Sequence, residues 1–482
     1  MLSITQSKII CTLGPSCHTA EQIRRLADIG MDCTRINFSH GSHEDKIQIF
    51  ENVRKADDRL AILCDIQGPK IRIGTVEAPG VHLKQGETIT VTTDPVEGNK
   101  ECINISYEKL PDEAKPGDLI YINDGLVCLK VVKIEGNKLR CNILTGGFIS
   151  TKKGVNLPST KISLTVPTEK DIEDLKLIAK LNPEYVAISF VNDDQDILTI
   201  RKILTDAGNP TIKLIAKIER PFALENFDRI LSVSDGIMVA RGDLGVEIAP
   251  EDVQPVQKSL IKKCNIVGKP VIVATQMLES MTHAPTPTRA EVSDVYNAIA
   301  DGADAVMLSA ETASGQFPEK AVAMMERIIR SAETHMPHTN PDEIDSSKRT
   351  HSELIGHLVF SACKDLSAHS SGKIICLTKS GYSSRMISKY RPYFPIFGIT
   401  DTKKYAREMR INWGVEPVVI QELENAKSNI DRIKMAIEEC YRRDFIGDSD
   451  KIIVTGNNFF NFQQETNMFC IFDLNDILTT VE

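Results

Sequence analysis

The sequence predicts an α/β protein: a (β/α)8 TIM barrel carrying an inserted small β-barrel lid domain and followed by a C-terminal open α/β domain. Three observations predict it. Apolar runs of strand length alternate with amphipathic helical stretches before about residue 70 and again after 167, and eight such strands can be read in all. Polar or charged residues gather where at least six of those strands end, the end at which a barrel of this kind holds its site. Between the two halves the rhythm gives way to short β-rich pieces punctuated by Gly, Asp and Asn.

In chain order, Lys8 to Thr12, Asp32 to Asn37 and Leu60 to Asp65 read as the first three strands, with helices over Thr19 to Ile29 and His43 to Lys55. From Lys70 to Pro167, pieces such as Thr88 to Thr92, Leu119 to Asn123, Leu126 to Ile134 and Lys138 to Ile143 form the inserted domain, with turns at Gln85-Gly86, Asp124-Gly125 and Gly136-Asn137. The rhythm resumes with the helix Glu169 to Lys180 and strands over Tyr185 to Phe190, Lys213 to Ile218, Gly236 to Ala240, Pro270 to Thr275 and Asp304 to Leu308. Helices over Asp252 to Val267 and Ala290 to Ala300 fill two of the gaps. A polar linker, His335 to Ser347, leads to a third unit with strands at Lys373 to Leu377, Pro395 to Thr400, Pro417 to Ile420 and Lys451 to Thr455. The expected domains are 1–69 with 167–335, then 70–166, then 350–482.

Length and composition narrow the function classes. The 482 residues suffice for two or three cores, and 41% apolar with 26% charged residues is ordinary for a globular enzyme. A net charge of -9 with no cluster of Lys and Arg argues against a nucleic-acid partner. The 12 cysteines show neither CxxC pairs nor zinc spacing, and no leader or bilayer-crossing run is read, so no membrane partner and a cytoplasmic location are expected.

The residues themselves point to phosphate chemistry. Lys217 and Glu219 stand two apart, so the strand period puts an ammonium and a carboxylate on one face. The next strand runs into Arg241, Gly242 and Asp243, adding a second carboxylate beside a glycine whose amide can approach a ligand. Two carboxylates and a lysine at neighbouring strand ends make a hard-cation site with a fixed positive charge, suited to a phosphorylated anion. A Lys-x-Glu alone is more often an ordinary ion pair. Thr275 alone could simply bond a neighbouring carbonyl. Recurrence at successive strand ends, including Arg35, Asn37 and Ser39 leaving strand two and Asp65 ending strand three, favours an active site.

Long stretches carry a family resemblance: KIICTLGPS at Lys8, RINFSHG at Arg35, DIQGPKIRIG at Asp65, KKGVNLP at Lys152, KIE at Lys217, GIMVARGDLGVEI at Gly236, KPVIVATQMLESM at Lys269, PTRAEVSDVYNAI at Pro287 and GADAVMLSAET at Gly302. Over nearly its whole length the chain resembles the pyruvate kinases. The resemblance implies phosphoryl transfer from phosphoenolpyruvate to ADP, giving pyruvate and ATP. It implies Glu219 and Asp243 as ligands of Mg2+ or Mn2+, Lys217 and Arg35 as neutralisers of the phosphoryl charge, and backbone amides at Gly242 and Asp243 for the carboxylate. Thr275 would lie on the proton path, and Asn37, His40, Arg72 and Lys153 on the nucleotide side. A homotetramer regulated through its C-terminal domain is also implied.

Departures from the family pattern carry expectations of their own. Many members have Glu where Lys70 stands and hold a monovalent cation near the positions of Asn37, Ser39, Asp65 and Ile66. An ammonium at Lys70 would substitute for that charge, so K+ is not expected to be required, as in the potassium-independent subgroup. Asn192 stands where the family often has a basic residue. Thr378, Lys379, Ser380, Gly381, Ser383 and Ser384 resemble a loop that binds an effector's phosphate. The second effector loop, from Gly456 to Gln464, is not basic, which favours AMP or a sugar monophosphate over fructose-1,6-bisphosphate. A barrel lyase using the same metal, or a sensor without chemistry, are the competing classes. Lys153 with Arg72 and His40 argues against the first, and the retained Lys217, Glu219, Asp243 and Thr275 against the second.

Overall fold

The computed structural model describes residues 5–335, 350–456 and 466–474. Eight parallel strands, Lys8–Thr12, Cys33–Asn37, Ala61–Ile66, Tyr185–Ile188, Lys213–Ile218, Gly236–Ala240, Val271–Ala274 and Ala305–Leu308, close into a barrel in which each pairs with its sequence neighbours and the last with the first. Most of their residues are apolar and buried, as in strands covered on both faces, with half-buried Arg35, Asn37 and Lys217 toward the strand ends. Ile10, Leu63, Ile215, Met238 and Ile272 pack the barrel interior, and Ile411 from the C-terminal unit joins that cluster.

The surrounding helices start where short polar side chains satisfy their first amides. Thr19, Ser42, Thr168 and Thr288 each close a reciprocal box with Gln22, Asp45, Asp171 and Glu291. The helix Arg289–Ala300 therefore begins one residue earlier than its periodicity suggests, and Val253–Val267 begins one later, after a turn of 3-10 helix.

The inserted segment leaves the barrel after strand three. It forms a six-stranded sheet in the order Val155–Asn156, Leu119–Ile122, Val127–Glu135, Lys138–Thr145, Thr88–Thr92, Cys102–Asn104, with Val81–Leu83 and Gly147–Ile149 paired beside it. Its own core includes Ile89, Ile120, Leu129, Leu139 and Ile149. Asn123 and Asp124 take φ of 57° and 55° at the expected turn, the left-handed pair that short hairpin loops favour.

The C-terminal unit is a sheet in the order Val415–Val419, Ile396–Thr400, Gly372–Leu377, Lys451–Gly456, Met468–Asp473. The first four strands match the sequence reading. The fifth, antiparallel edge strand was not read from the sequence. The linker His335 to Ser347 lies outside the described residues after its first residue, and most of the second effector loop, 457–465, lies outside them too.

Buried ion pairs join this unit to the base of the barrel. Glu184, fully buried, accepts from both Arg54 (2.7 Å) and Arg407 (2.6 Å) and from the Ile62 amide (2.8 Å). Arg391 donates to Asp304 at 2.8 Å, with both side chains 8% exposed, and its guanidinium lies 4.9 Å from the Trp413 ring. The Tyr185 hydroxyl donates to the Glu408 carbonyl. Among the described residues no helix is long and apolar enough to cross a membrane.

Candidate active site

The C-terminal ends of strands one to seven bring the chemistry together. Asp65, 2% exposed at the end of strand three, is the common acceptor. Arg35 Nε donates to its Oδ2 at 2.7 Å, while Lys217 Nζ lies 3.4 Å from its Oδ1. Arg35 also donates to the Thr12 hydroxyl at 3.1 Å, and Lys217 to the Ser189 hydroxyl at 2.7 Å. Both cations are thereby held against one carboxylate. Burial opposes ionisation of Asp65, but Lys217 and Arg35 outweigh it and hold the carboxyl below its usual range. Burial likewise works against the Lys217 ammonium, yet Asp65 and Glu219 more than offset it and raise its pKa.

Lys217 and Glu219 do share a face: Nζ lies 2.9 Å from Oε1. The other oxygen, Oε2, accepts the Phe190 amide at 2.6 Å, whereas the buried Oε1 is met by the Lys217 ammonium. Burial, and then the nearby Asp243 carboxylate, push the Glu219 pKa up. Asp243 sits in the first turn of the helix Arg241–Glu247 and accepts from Lys70 at 3.2 Å.

Thr275 ends strand seven at φ 68°, followed by Gln276 at 53°, a conformation that costs a β-branched residue on the order of 1 kcal/mol or more. Arg241, 4% exposed, holds that turn by donating to the Thr275 carbonyl (2.8 Å) and the Gln276 carbonyl (3.1 Å) and pairing with Asp294. The Thr275 hydroxyl donates to the Ala274 carbonyl at 2.5 Å and accepts the Gly242 amide at 2.7 Å. The Gly242 amide is thus occupied by the Thr275 hydroxyl.

The comparisons with known proteins agree. The family models "Pyruvate kinase, barrel domain" and "Pyruvate kinase, alpha/beta domain" match residues 4–322 and 353–472. Pyruvate kinases of Staphylococcus epidermidis and Staphylococcus aureus are each 41% identical over 97% of this chain and 80% of theirs. A crystal structure of a pyruvate kinase from Cryptosporidium parvum superposes with a TM-score of 0.90 at 37% identity, covering 98% of this chain and 96% of that one.

This chain belongs to the pyruvate kinase family. It is a phosphotransferase, and the family uses Mg2+. The residues present fit such an ion. Glu219 offers a buried oxygen faced by the Lys217 ammonium, Asp243 a second carboxylate, and Mg2+ is commonly held by one or two carboxylates with the remaining places left to substrate and water. Among the described residues no group of three or more His, Cys, Asp or Glu forms a closed cage.

The remaining sites expected for a pyruvate kinase are arranged less compactly. Asn37 accepts the Ser39 amide at 3.0 Å, Ile66 is fully buried and His40 is exposed. Arg72 and Lys153 lie on adjacent antiparallel segments at the root of the lid, where Arg72 donates to the Lys152 carbonyl at 2.9 Å and the Lys153 carbonyl accepts the Ile73 amide. In the C-terminal unit, Thr378 and Lys379 line a cavity of about 390 Å³ together with Thr400, Asp401, Asn429 and Arg432. Ser380 and Gly381 face a different cavity, against the barrel base. Ser384 donates to the Gly381 carbonyl and Ser383 bonds Thr466, so both hydroxyls are turned inward.

Ser189, Phe190, Arg220 and Arg241 stand in the site although sequence reasoning assigned them nothing. Arg241 was visible as an uncommitted charge between a strand and a glycine. Phe190 gave no signal, because its amide reaches Glu219 and its ring reaches Arg220 only through the folded turn.

Proposed function

We propose that this chain transfers the phosphoryl group of phosphoenolpyruvate to ADP, giving pyruvate and ATP, the last step of glycolysis. The observation that carries the reading is Asp65 holding Arg35 and Lys217 together beside the two carboxylates Glu219 and Asp243.

Arg35 and Lys217 face the phosphoryl group in flight, where positioned charge does most of the catalysis. A divalent ion held by Glu219 and Asp243, when bound, neutralises substrate oxygens. The Gly242 and Asp243 amides take the carboxylate, and Thr275, released from Gly242, lies on the path of the proton to the enolate carbon. Asn37, His40, Arg72 and Lys153 contact the nucleotide, with Lys153 moving in as the lid closes.

Lys70 supplies the charge that other members draw from a monovalent cation at Asn37, Ser39, Asp65 and Ile66, so K+ is not required. In support, its side chain is only 28% exposed, with the ammonium turned to Asp243. The cavity holding Thr378, Lys379 and Arg432 supports an effector with a single phosphate, AMP or a sugar monophosphate, acting through the C-terminal domain. Leu354 and Leu358, 47% and 44% exposed one helical turn apart, support burial of that face in a homotetramer. Twelve free cysteines, most of them buried, suit a reducing, cytoplasmic setting.

The test is pyruvate and ATP formation from phosphoenolpyruvate, ADP and Mg2+ in sodium- and potassium-free buffer, with and without added K+. Turnover in both supports the reading. Turnover with K+ alone removes the role given to Lys70, and none in either, with AMP supplied, removes the reaction.

A further inference from the structure

The turn that ends strand four is built around Phe190. Its φ is 59°, a left-handed conformation that a bulky aromatic residue rarely adopts. Gly68 crosses so close that a Cβ there would meet the Ser189 carbonyl at 2.8 Å and the Phe190 ring at 3.0 Å. The consequence of this backbone is specific: the Phe190 amide points at Glu219 and donates to Oε2 at 2.6 Å. The adjoining Ser189 hydroxyl accepts from Lys217 and donates to Asp65 at 3.3 Å.

The Phe190 ring, 6% exposed, is flanked by two cations. The Arg220 guanidinium lies 4.9 Å from its centroid and the Lys70 ammonium 6.0 Å, both within the range of attraction to an aromatic face. Arg220 is itself 6% exposed and makes one long hydrogen bond, to Asn192 at 3.3 Å, while its Nε has no partner among the described residues. A buried guanidinium so poorly hydrogen-bonded is held by the ring and by the field of Glu247, Glu219 and Asp243. Lys70 in turn pairs with Asp243. Phe190 thus touches the support of both carboxylates, Glu219 by its amide and Asp243 through Lys70.

We propose that Phe190, clamped by Arg220, is a positioning residue for the divalent-ion site: its left-handed backbone fixes one oxygen of Glu219 and leaves the other, beside the Lys217 ammonium, to meet the ion. The inference rests on Glu219 and Asp243 being the divalent-ion carboxylates. Arg220 keeps the ring from swinging out, and without it the turn relaxes toward ordinary backbone and withdraws the amide. Partners that orient a metal ligand commonly change affinity by ten-fold or more when lost.

The experiment is Mn2+ binding to the purified full chain, read from the resonance of free Mn2+, for wild type, Phe190→Leu, Phe190→Tyr and Arg220→Met, with thermal midpoints alongside. The Mn2+ Kd is expected to rise about ten-fold in Phe190→Leu and Arg220→Met. It returns to within about two-fold of wild type in Phe190→Tyr, which keeps the aromatic face. A purely structural part would move the midpoints and leave the Mn2+ affinity of the folded enzyme alone, and unchanged affinity in both variants would overturn the proposal. Should Phe190→Leu fail to fold, Arg220→Met decides on the same scale. A wild type that binds no Mn2+ would instead remove the metal assignment beneath it, an outcome separable because the assay needs no turnover.

Discussion

Lys70 Nζ lies 3.2 Å from Oδ1 of Asp243, with the two side chains 28% and 27% exposed. The lysine stem reaches that position by passing Gly154 at the root of the lid, where an added Cβ would lie 3.4 Å from Lys70 Cε. Lys70→Glu would set a third carboxylate beside Glu219 and Asp243 and create a need for an external cation. Turnover in potassium-free buffer should fall by roughly 10²-fold and return when K+ is added. Steady-state rates across a K+ titration check this, and a variant indifferent to K+ would show that the ammonium has no such part.

Asp65 pairs with both Arg35 and Lys217, the cations proposed to face the phosphoryl group. Asp65→Asn leaves Arg35 and Lys217 without their shared charged acceptor, so kcat should drop by about 10²-fold through misplacement. Mn2+ affinity should stay near wild type, since Glu219 keeps its Phe190 amide. Comparing the two measurements separates orientation from loss of the ion.

Glu408 carries a pH dependence of stability. Burial, outweighing the attraction of Lys213 and Lys404 and assisted by Glu184 and Asp235, raises its pKa from 4.5 to about 7. Between those values the folded chain binds the proton more tightly than the unfolded chain, so stability falls as pH rises through that window. Glu408→Gln should therefore be neutral at pH 4.5 and below, and stabilising above pH 7, by up to about 3 kcal/mol. Unfolding midpoints at the two pH values test it, and equal shifts at both would contradict the sign.

Arg391 and Asp304 form a buried pair between barrel and C-terminal domain. Arg391→Met strands a carboxylate in a dry interface and should cost about 3–5 kcal/mol. Denaturant unfolding measures this, and a double change with Asp304→Leu should recover part of the loss.

Much of the architecture was legible because burial on both faces makes barrel strands read as continuous apolar runs, as Val271–Ala274 and Ala305–Leu308 do. Lys217 and Glu219 were legible because a period of two is a local property. Ser189, Phe190 and Arg220 were not, since their role lies in a left-handed φ and in contacts between separate strand ends. The inward turn of Ser383 and Ser384 was hidden for a related reason: a loop's composition announces polar groups without saying which way they face. Met468–Asp473 reads as apolar like its neighbours, and no sequence signal showed that it would run antiparallel at an edge.

Glu184 is wedged between arginines from two domains, with Arg54 on the barrel side and Arg407 on the other. To slide one domain over the other would strip a guanidinium from a carboxylate that water does not reach. Barrel and C-terminal domain are therefore riveted into a single block. The inserted domain, with a core of its own, stands outside that block.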